Sequence, residues 1–262
     1  MSRKIREAYD REVRARPQTE DPSYRFEWDG PVYRMVGPPT DVPNSAVLLT
    51  RLDAGTAPVA IQRQLDSFRA LGQGFEWKLY DYDEPANLPR LLADAGFVSQ
   101  EPETLVVRDA SAAFAMPPPA DGVAITRLDD PDEFGPIADL KLAVWGDEKR
   151  ARWWVEALQS EKRATPDGLS VYVARAADGA IVAAAWLRMS PDCSFAGLWG
   201  GSTKKEWRGR GLYTSLVAHR IAEARERGLS WVMVDCSKDS LPILNRRGFD
   251  ALATTTPYVW MP

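Results

Sequence analysis

The sequence is poor in the residues that build metal centres and disulfide frameworks. It contains one histidine, His219, and two cysteines, Cys193 and Cys236, among 262 residues. Two cysteines at this spacing provide neither a disulfide framework nor a set of metal ligands. A zinc site and a Ser-His-Asp triad are therefore not expected, and no metal is predicted. His219 falls on a charged face of a predicted helix, where a solvated side chain is the expected outcome.

Long apolar runs and an excess of basic residues are also missing. No segment approaches the roughly 20 apolar residues that a membrane-spanning helix requires. The basic N-terminus lacks the apolar core of a signal peptide. The net charge of −4 provides no overall basic field for nucleic acid. We therefore expect a soluble, cytoplasmic protein, a monomer or homodimer, that binds neither nucleic acid nor membranes.

A proline-rich stretch divides the chain into two parts. Residues 116–122 include three consecutive prolines, Pro117 to Pro119. Prolines favour an extended backbone without internal hydrogen bonds, which is typical of a linker. The predicted domains are residues 1–115 and residues 123–262, joined by this linker.

The second part alternates strands with helices, which predicts a mixed α/β fold. In the predicted helix over residues 212–227, apolar residues form one stripe and charged residues lie mostly off it. Gly228 is expected to end that helix. The stripe consists of Leu212, Leu216, Val217, Ile221 and Ala224, and the charged residues are Arg220, Glu223, Arg225, Glu226 and Arg227. Strands are predicted over residues 124–127, 170–175, 181–189, 195–203, 231–234 and 251–260, and further helices over 131–144, 149–159 and from Ser240.

The first part carries a weaker copy of the same pattern. A predicted helix over residues 59–71 precedes a strand around Trp77, much as the helix over 212–227 precedes a strand around Trp231. Leu-Pro then leads to Gly-Phe in both parts, at Gly96 and at Gly248, and a final strand follows. Ordered self-similarity of this kind indicates an internal duplication.

The segment that best indicates a binding function is Arg208-Gly209-Arg210-Gly211, between a predicted strand and a predicted helix. Glycines let backbone N–H groups converge on a ligand, and the helix N-terminus adds unpaired donors. Together with two arginines, this arrangement suits a pyrophosphate. Spacing alone leaves a second interpretation open, a glycine-rich turn with solvated arginines. A Walker loop and a dinucleotide fingerprint both need residues that are missing here.

The order of elements around this loop resembles the GNAT superfamily of acyl-CoA N-acyltransferases. The family signature Arg/Gln-x-x-Gly-x-Gly/Ala maps onto Arg208, Gly211 and Tyr213, and the resemblance runs from Val123 to the C-terminus. It implies an α/β fold of two GNAT-like domains, each a mixed central sheet flanked by helices. The first copy has no Arg-x-x-Gly before its helix, so the implied form is a tandem protein whose N-terminal copy is degenerate.

The resemblance implies acetyl-CoA as the cofactor. The backbone of residues 201–203 would pair with the pantetheine arm, and residues 208–213 would surround the pyrophosphate. Ser237 stands where the family often has a cofactor-binding asparagine, and Ser240 lies one turn further on, where helix capping is an equal alternative. The implied cofactor-binding residues are Gly201, Ser202, Thr203, Arg208, Gly209, Arg210, Gly211, Leu212, Tyr213, Ser237 and Ser240.

Three positions depart from the family pattern. Tyr213 replaces a small residue, Leu244 stands where many relatives have a tyrosine as general acid, and Gly201 stands where a carboxylate often precedes the loop. The usual acid and base are therefore missing by position. As replacements we predict Asp235 as a base acting through water, with a loop cap as its alternative, and Tyr258 or Tyr213 as the proton donor to the thiolate.

The resemblance implies an N-acetyltransferase that moves an acetyl group from acetyl-CoA directly to a primary amine in a ternary complex. The amine is expected beside the first two helices of the second part, around residues 145–154. The missing acid and base leave another function open. The chain could be a non-catalytic acyl-CoA sensor or an interaction protein on the same scaffold.

Overall fold

A computed structural model gives the fold of residues 3–19, 21–40, 43–118 and 120–262. Pro119 of the predicted linker lies outside these described residues. The strands are β1 (Arg25–Asp29), β2 (Val32–Val36), β3 (Ala46–Thr50), β4 (Phe75–Tyr80), β5 (Val98–Ser99), β6 (Glu103–Asp109), β7 (Val123–Leu128), β8 (Leu169–Ala176), β9 (Ile181–Met189), β10 (Phe195–Thr203), β11 (Trp231–Cys236) and β12 (Asp250–Trp260). The α-helices are α1 (Arg3–Tyr9), α2 (Ala57–Leu71), α3 (Leu88–Asp94), α4 (Ile137–Trp145), α5 (Glu148–Ala164), α6 (Leu212–Glu226) and α7 (Leu241–Asn245), and a π-helical turn, Asp10–Arg14, follows α1.

The described strands form one mixed sheet that runs through both halves of the chain. Its order is β1-β2-β3-β4-β12-β6-β11-β10-β9-β8-β7, and β5 pairs with β12 outside this path. The pairs β3–β4 and β10–β11 are parallel, and the other pairs are antiparallel. Helices flank this sheet, so the predicted mixed α/β architecture is confirmed.

The last strand of each half pairs inside the other half. Strand β6, which ends the first half, lies between β12 and β11, and β12, which ends the second half, lies between β4 and β6. The order strand, strand, helix, strand, helix, strand occurs in both halves, as β2-β3-α2-β4-α3-β6 and β9-β10-α6-β11-α7-β12, and the first half has the short strand β5 in addition, between α3 and β6. The duplication and the domain limits themselves remain predictions.

Neighbouring residues of a strand point to opposite faces of the sheet, and this alternation identifies the layers. Trp77 of β4 packs with α2 and α3, whereas the adjacent Lys78 points to the other face and pairs with Asp235 of β11. Val234, which alternates with Asp235, packs with α6 and α7. The helices α2, α3, α6 and α7 therefore share one face, which we call the back.

The opposite face, which we call the front, is covered by α1, α4 and α5. Tyr9 of α1 packs edge-on against Phe195 of β10. Ile137 of α4 and Val155 of α5 pack with Trp186 of β9. The front of the second half is thus built largely from aromatic and aliphatic side chains of two helices.

Helix α6 confirms the predicted apolar stripe and corrects the prediction for two charged residues. Arg220 and Glu223 are 2% and 5% exposed, so they do not lie on a solvated face. Glu223 accepts hydrogen bonds from the Ser170 and Tyr172 hydroxyls, at 2.7 and 2.9 Å. Arg220 and Glu223 are buried because the sheet beneath α6 supplies hydrogen-bond partners for them, and a sequence pattern does not show these partners. His219 is half-buried, and its Nδ1 lies 2.8 Å from the Ser215 carbonyl.

The single helix predicted over residues 131–144 is wrong, because the structure divides it. A 3-10 turn, Pro131–Phe134, is followed by α4 from Ile137. Pro136 between them has no N–H to continue the turn, which explains the break.

Within the described residues, no helix is both long and apolar enough to cross a bilayer.

Candidate active site

The glycine-rich loop leads from the end of β10 into the first turn of α6. Gly209 and Gly211 adopt left-handed conformations, with φ of +76° and +78°. Gly211 is the N-cap of α6, and within the described residues no side chain caps the helix and no acidic residue lies in its first turn. The first-turn N–H groups therefore remain available to an anion. Arg208 and Arg210 are exposed beside them, Arg210 stacked 4.6 Å from the Trp207 ring centroid.

A cleft opens between β10 and β11 next to this loop. The two parallel strands pair only from Phe195–Trp231 to Gly197–Met233. Strand β10 nevertheless continues to Thr203, still paired with β9 on its other side. The backbone edge of β10 that faces β11 after Gly197 can therefore pair with an extended ligand, as a sheet edge pairs with an added strand.

The predicted cofactor-binding residues of the β10 end and the helix start surround this cleft. Gly201, Ser202 and Thr203 form the end of β10. The Leu212 side chain is buried in the core, so only its backbone can face a ligand. Ser237 is exposed just after β11. The structure thus brings this group of predicted residues together at one end of the cleft.

Tyr213 packs behind the end of β10, on the face that carries α6 and α7. Its ring packs so closely on Gly201 that a Cβ there would lie 3.3 Å from the ring. Burial raises the pKa of Tyr213, and a hydrogen bond with the Ser240 side chain acts in the opposite direction. Ser240 occupies the N-cap position of α7, but its side chain makes no capping hydrogen bond. The capping alternative for Ser240 is therefore wrong, because the hydroxyl is directed to Tyr213.

A β-bulge in β10 forms the front wall of the site. The register against β9 shifts between Trp199 and Ser202. Gly200 within the bulge has a φ of +67°, and the ring of Trp186 fills the space that a Cβ would occupy. This close approach and the left-handed backbone both require glycine at this position.

Two buried cations bind the bulge from opposite faces, and neither was identified from the sequence. Lys141 of α4 donates to the Gly200 carbonyl at 3.0 Å and to Ser202 Oγ at 2.8 Å. Arg220 of α6 donates to the carbonyls of Trp186 and Trp199, at 3.1 and 3.3 Å. A signal for Lys141 exists in the sequence, because it falls four residues after Ile137 and four before Trp145, a spacing that places it on one helix face with these two apolar residues.

The two predicted catalytic residues are not brought together. Asp235 lies on the front, where its carboxylate pairs with Lys78 Nζ at 2.5 Å and accepts from Thr255 Oγ1 at 3.2 Å. Tyr258 packs against the first-half core around Trp77, which belongs to the back. Leu244, which replaces the family's tyrosine, is buried in the core and offers no proton.

The predicted acceptor region contains an aromatic cluster and a separate cavity of mixed charge. Trp154 of α5 contacts Trp145 and Trp186, each at 6.1 Å between ring centroids. A cavity of about 340 Å³ between α4 and α5 is lined in part by Asp139, Glu148 and Arg152, and Arg152 donates to Glu148 at 2.7 Å. The Arg152–Glu148 ion pair offsets part of the negative charge there, and the amine site around residues 145–154 remains a prediction.

The corresponding position in the first half is occupied by an arginine. Strands β3 and β4 also pair only briefly, at Ala46–Glu76 and Val47–Trp77. Arg14 donates to the Leu48 carbonyl of β3 at 2.9 Å and makes a two-point ion pair with Asp83. Its guanidinium lies 3.8 Å from the Tyr80 ring centroid, and the residue is 2% exposed. The register of β3 against β2 also shifts, between Val47 and Leu49, so that β3 bulges at Leu48. This first-half bulge is therefore closed by the protein itself.

Comparisons with known proteins agree with this architecture. Residues 118–235 match the family model of the acetyltransferase (GNAT) domain. No curated protein is matched by the sequence. A GCN5-related N-acetyltransferase from Kribbella flavida has a similar fold, with a TM-score of 0.68 and 18% identity over 99% of this chain and 96% of its own. A tandem GNAT protein from the clavulanic acid biosynthesis pathway gives a TM-score of 0.67 and 15% identity over 92% of this chain and 84% of its own. The second half of the chain thus carries a segment that matches the GNAT acetyltransferase domain, within a GNAT-like fold.

Proposed function

We propose that this chain is an acetyl-CoA-dependent N-acetyltransferase that acts on a primary amine. The observation that carries the proposal is the open strand pair β10–β11 beside an uncapped, glycine-opened helix. This combination offers backbone hydrogen bonds to an extended amide chain and N–H donors to a pyrophosphate. A pantetheine diphosphate contains both groups, separated along one flexible chain.

The pantetheine arm, the diphosphate and the thioester of acetyl-CoA each have a matching set of residues in the proposal. The edge of β10 from Trp199 to Thr203 would pair with the pantetheine amides. The N–H groups of residues 211–213 would bind the diphosphate, with Arg208 and Arg210 supplying positive charge. Ser237 would contact the cofactor from the other side of the cleft. The thioester would then lie near the bulge, where a backbone N–H can stabilise the oxyanion.

The same proposal assigns cofactor binding to the second half only. The two halves would be a tandem pair in which the first copy has lost this capacity. The closed bulge of the first half supports this, because Arg14 bonds to the Leu48 carbonyl where a ligand would otherwise enter. A stoichiometry of one acetyl-CoA per chain is expected.

The direct test is release of free thiol from acetyl-CoA in the presence of a panel of primary amines. Wild-type protein should release thiol with at least one amine. Substituting Arg208→Ala or Arg210→Ala should raise the KM for acetyl-CoA by roughly 10-fold, since a hydrogen bond to a charged group contributes about 1.5 kcal/mol or more. Arg225→Ala, an exposed arginine at the other end of α6, is the matched control and should leave KM unchanged.

The same assay separates the proposal from the sensor alternative, which the buried Leu244 favours by removing the usual acid. Binding of acetyl-CoA without thiol release for any amine would indicate a sensor. Failure to bind acetyl-CoA would contradict both functions.

A further inference from the structure

Lys141 is a buried lysine whose hydrogen bonds lead to the proposed reaction centre. It is 2% exposed and lies on the face of α4 that packs against the bulge of β10. Its ammonium lies 4.7 Å from the Trp145 ring centroid and 4.8 Å from that of Trp186. Among the described residues, it forms no ion pair with a carboxylate. A buried ammonium held only by neutral groups is costly and needs an explanation.

The surroundings of Lys141 make its proton easy to release. Burial lowers the pKa of Lys141 to about 8. Three cations lie on the elements packed around Lys141, and one of them is paired with a carboxylate. Arg150 of α5 lies against the same Trp145 ring, Arg220 of α6 binds the bulge from the back, and Arg188 of β9 is paired with Glu161. At pH 7 the lysine is still mainly charged, because its pKa lies above that pH.

Ser202 connects this lysine to the cleft. Lys141 donates a hydrogen to Ser202 Oγ, so the hydroxyl keeps its own hydrogen for another acceptor. Within the protein, the Gly200 carbonyl offers only a weak acceptor for it, at 3.3 Å. Ser202 is half-buried at the end of β10, beside the residues expected to pair with the pantetheine arm.

We propose that Ser202 is a catalytic residue that donates a proton to the leaving thiolate, and that Lys141 is the positioning residue that resupplies it. This inference rests on the proposed acetyltransferase function. When the amine has attacked the thioester carbonyl, the C–S bond of the tetrahedral intermediate breaks and its electron pair goes to sulfur. The Ser202 hydroxyl gives its proton to that sulfur and takes one from the Lys141 ammonium. The amine releases its proton to water, which recharges the lysine, so the overall proton count is unchanged.

A second buried lysine shows what a purely structural role looks like. Lys162 of α5 is 7% exposed and donates to the carbonyls of Pro166 and Leu169, at 2.6 and 2.8 Å. Burial lowers the pKa of Lys162 as well. Its partners are two backbone carbonyls at the end of α5 and the start of β8, with no hydroxyl relay. Lys162 is therefore a matched control for the loss of a buried ammonium.

The experiment measures kcat against pH by thiol release, with saturating acetyl-CoA and the best amine of the panel. We expect wild-type kcat to fall above about pH 8 as Lys141 loses its proton. Ser202→Ala should lower kcat by roughly 100-fold with little change in the KM for acetyl-CoA, as loss of a general acid does. Ser202→Thr keeps the hydroxyl and should recover much of kcat. Lys141→Met should remove the fall above pH 8, whereas Lys162→Met should retain it.

Lys141→Arg is a second variant for the case that Lys141→Met does not fold. The arginine keeps a charged donor at this position but does not lose its proton near pH 8. Its kcat should show no fall near pH 8. The relay is overturned if wild-type protein turns over and Ser202→Ala keeps its kcat, or if the fall near pH 8 persists in Lys141→Arg. Those results leave the acetyltransferase function intact. Absence of thiol release from wild-type protein would instead overturn the function itself.

Discussion

The bulge of β10 can be tested by substituting the glycine that permits it. Gly200→Ala adds one methyl group at a position with a φ of +67°, in the space that the Trp186 ring occupies. A left-handed backbone costs a non-glycine residue about 1–2 kcal/mol. Trp186 is 2% exposed and in contact with Trp154, so it cannot move without disturbing the core. Overpacking of this kind adds about 1–3 kcal/mol.

The two contributions predict a loss of about 2–5 kcal/mol in the free energy of unfolding, and a matched variant separates them. Gly209→Ala has a similar φ of +76° but open space around the added methyl group. It should therefore lose only the backbone contribution, about 1–2 kcal/mol. For a chain of this size each kcal/mol lowers Tm by about 2–4 °C. Gly200→Ala should melt at least about 2 °C below Gly209→Ala by circular dichroism.

The reasoning is refuted if the two variants melt together. That result would mean that Trp186 does not pack on the bulge, and the Lys141–Gly200 hydrogen bond would lose its structural basis. A second readout follows from the same contact. Gly200→Ala should reduce thiol release more than its loss of stability explains, since it displaces the carbonyl that Lys141 binds.

Two further predictions concern the first half of the chain. Arg14→Met should lower the free energy of unfolding by about 3–5 kcal/mol, because it leaves the Asp83 carboxylate buried without its ion-pair partner. The control Arg11→Met removes an exposed arginine from an ion pair and should change the free energy of unfolding by less than about 1 kcal/mol. Equal melting temperatures of the two variants would contradict the buried ion pair. Burial raises the pKa of Glu76 in the folded protein. Ionisation of Glu76 therefore lowers the free energy of unfolding, and this loss develops as the pH rises through the raised pKa. Glu76→Gln should therefore raise Tm at pH 7 and lose this advantage as the pH falls toward 4, and an unchanged difference across that range would refute the assignment.

Apart from the break at Pro136, the sequence was sufficient to predict the order of strands and helices in the second half, because apolar periodicity and glycine positions determine it. The apolar stripe of α6 and the glycine loop before it follow from residue spacing alone. The pairing of β6 with β11, and of β12 with β4, could not be predicted. Both strands end their halves with similar apolar residues, and nothing local to a strand identifies its partner in the sheet.

The buried cations escaped prediction for a related reason. A charged residue on a helix is normally solvated, and the sequence pattern places Arg220 off the apolar stripe of α6. Its burial depends on free carbonyls of Trp186 and Trp199, which exist only because β10 bulges against β9. The predicted base Asp235 raises the same difficulty, since its partner Lys78 lies 157 residues away in the chain. Long-range polar pairing of this kind needs the assembled sheet.

Calorimetric titration with acetyl-CoA tests the central claim, that α6 and the loop before it bind the cofactor. Wild-type protein should bind one acetyl-CoA per chain. Gly211→Val, at a φ of +78°, should weaken binding by roughly 10-fold or more, because relieving about 1–2 kcal/mol of left-handed strain moves the N–H groups away from the anion. Gly228→Val carries the same strain at the other end of α6, with a φ of +75°, and should bind as wild type does. No binding by wild-type protein, or equal binding by the two variants, would contradict the assignment of this loop.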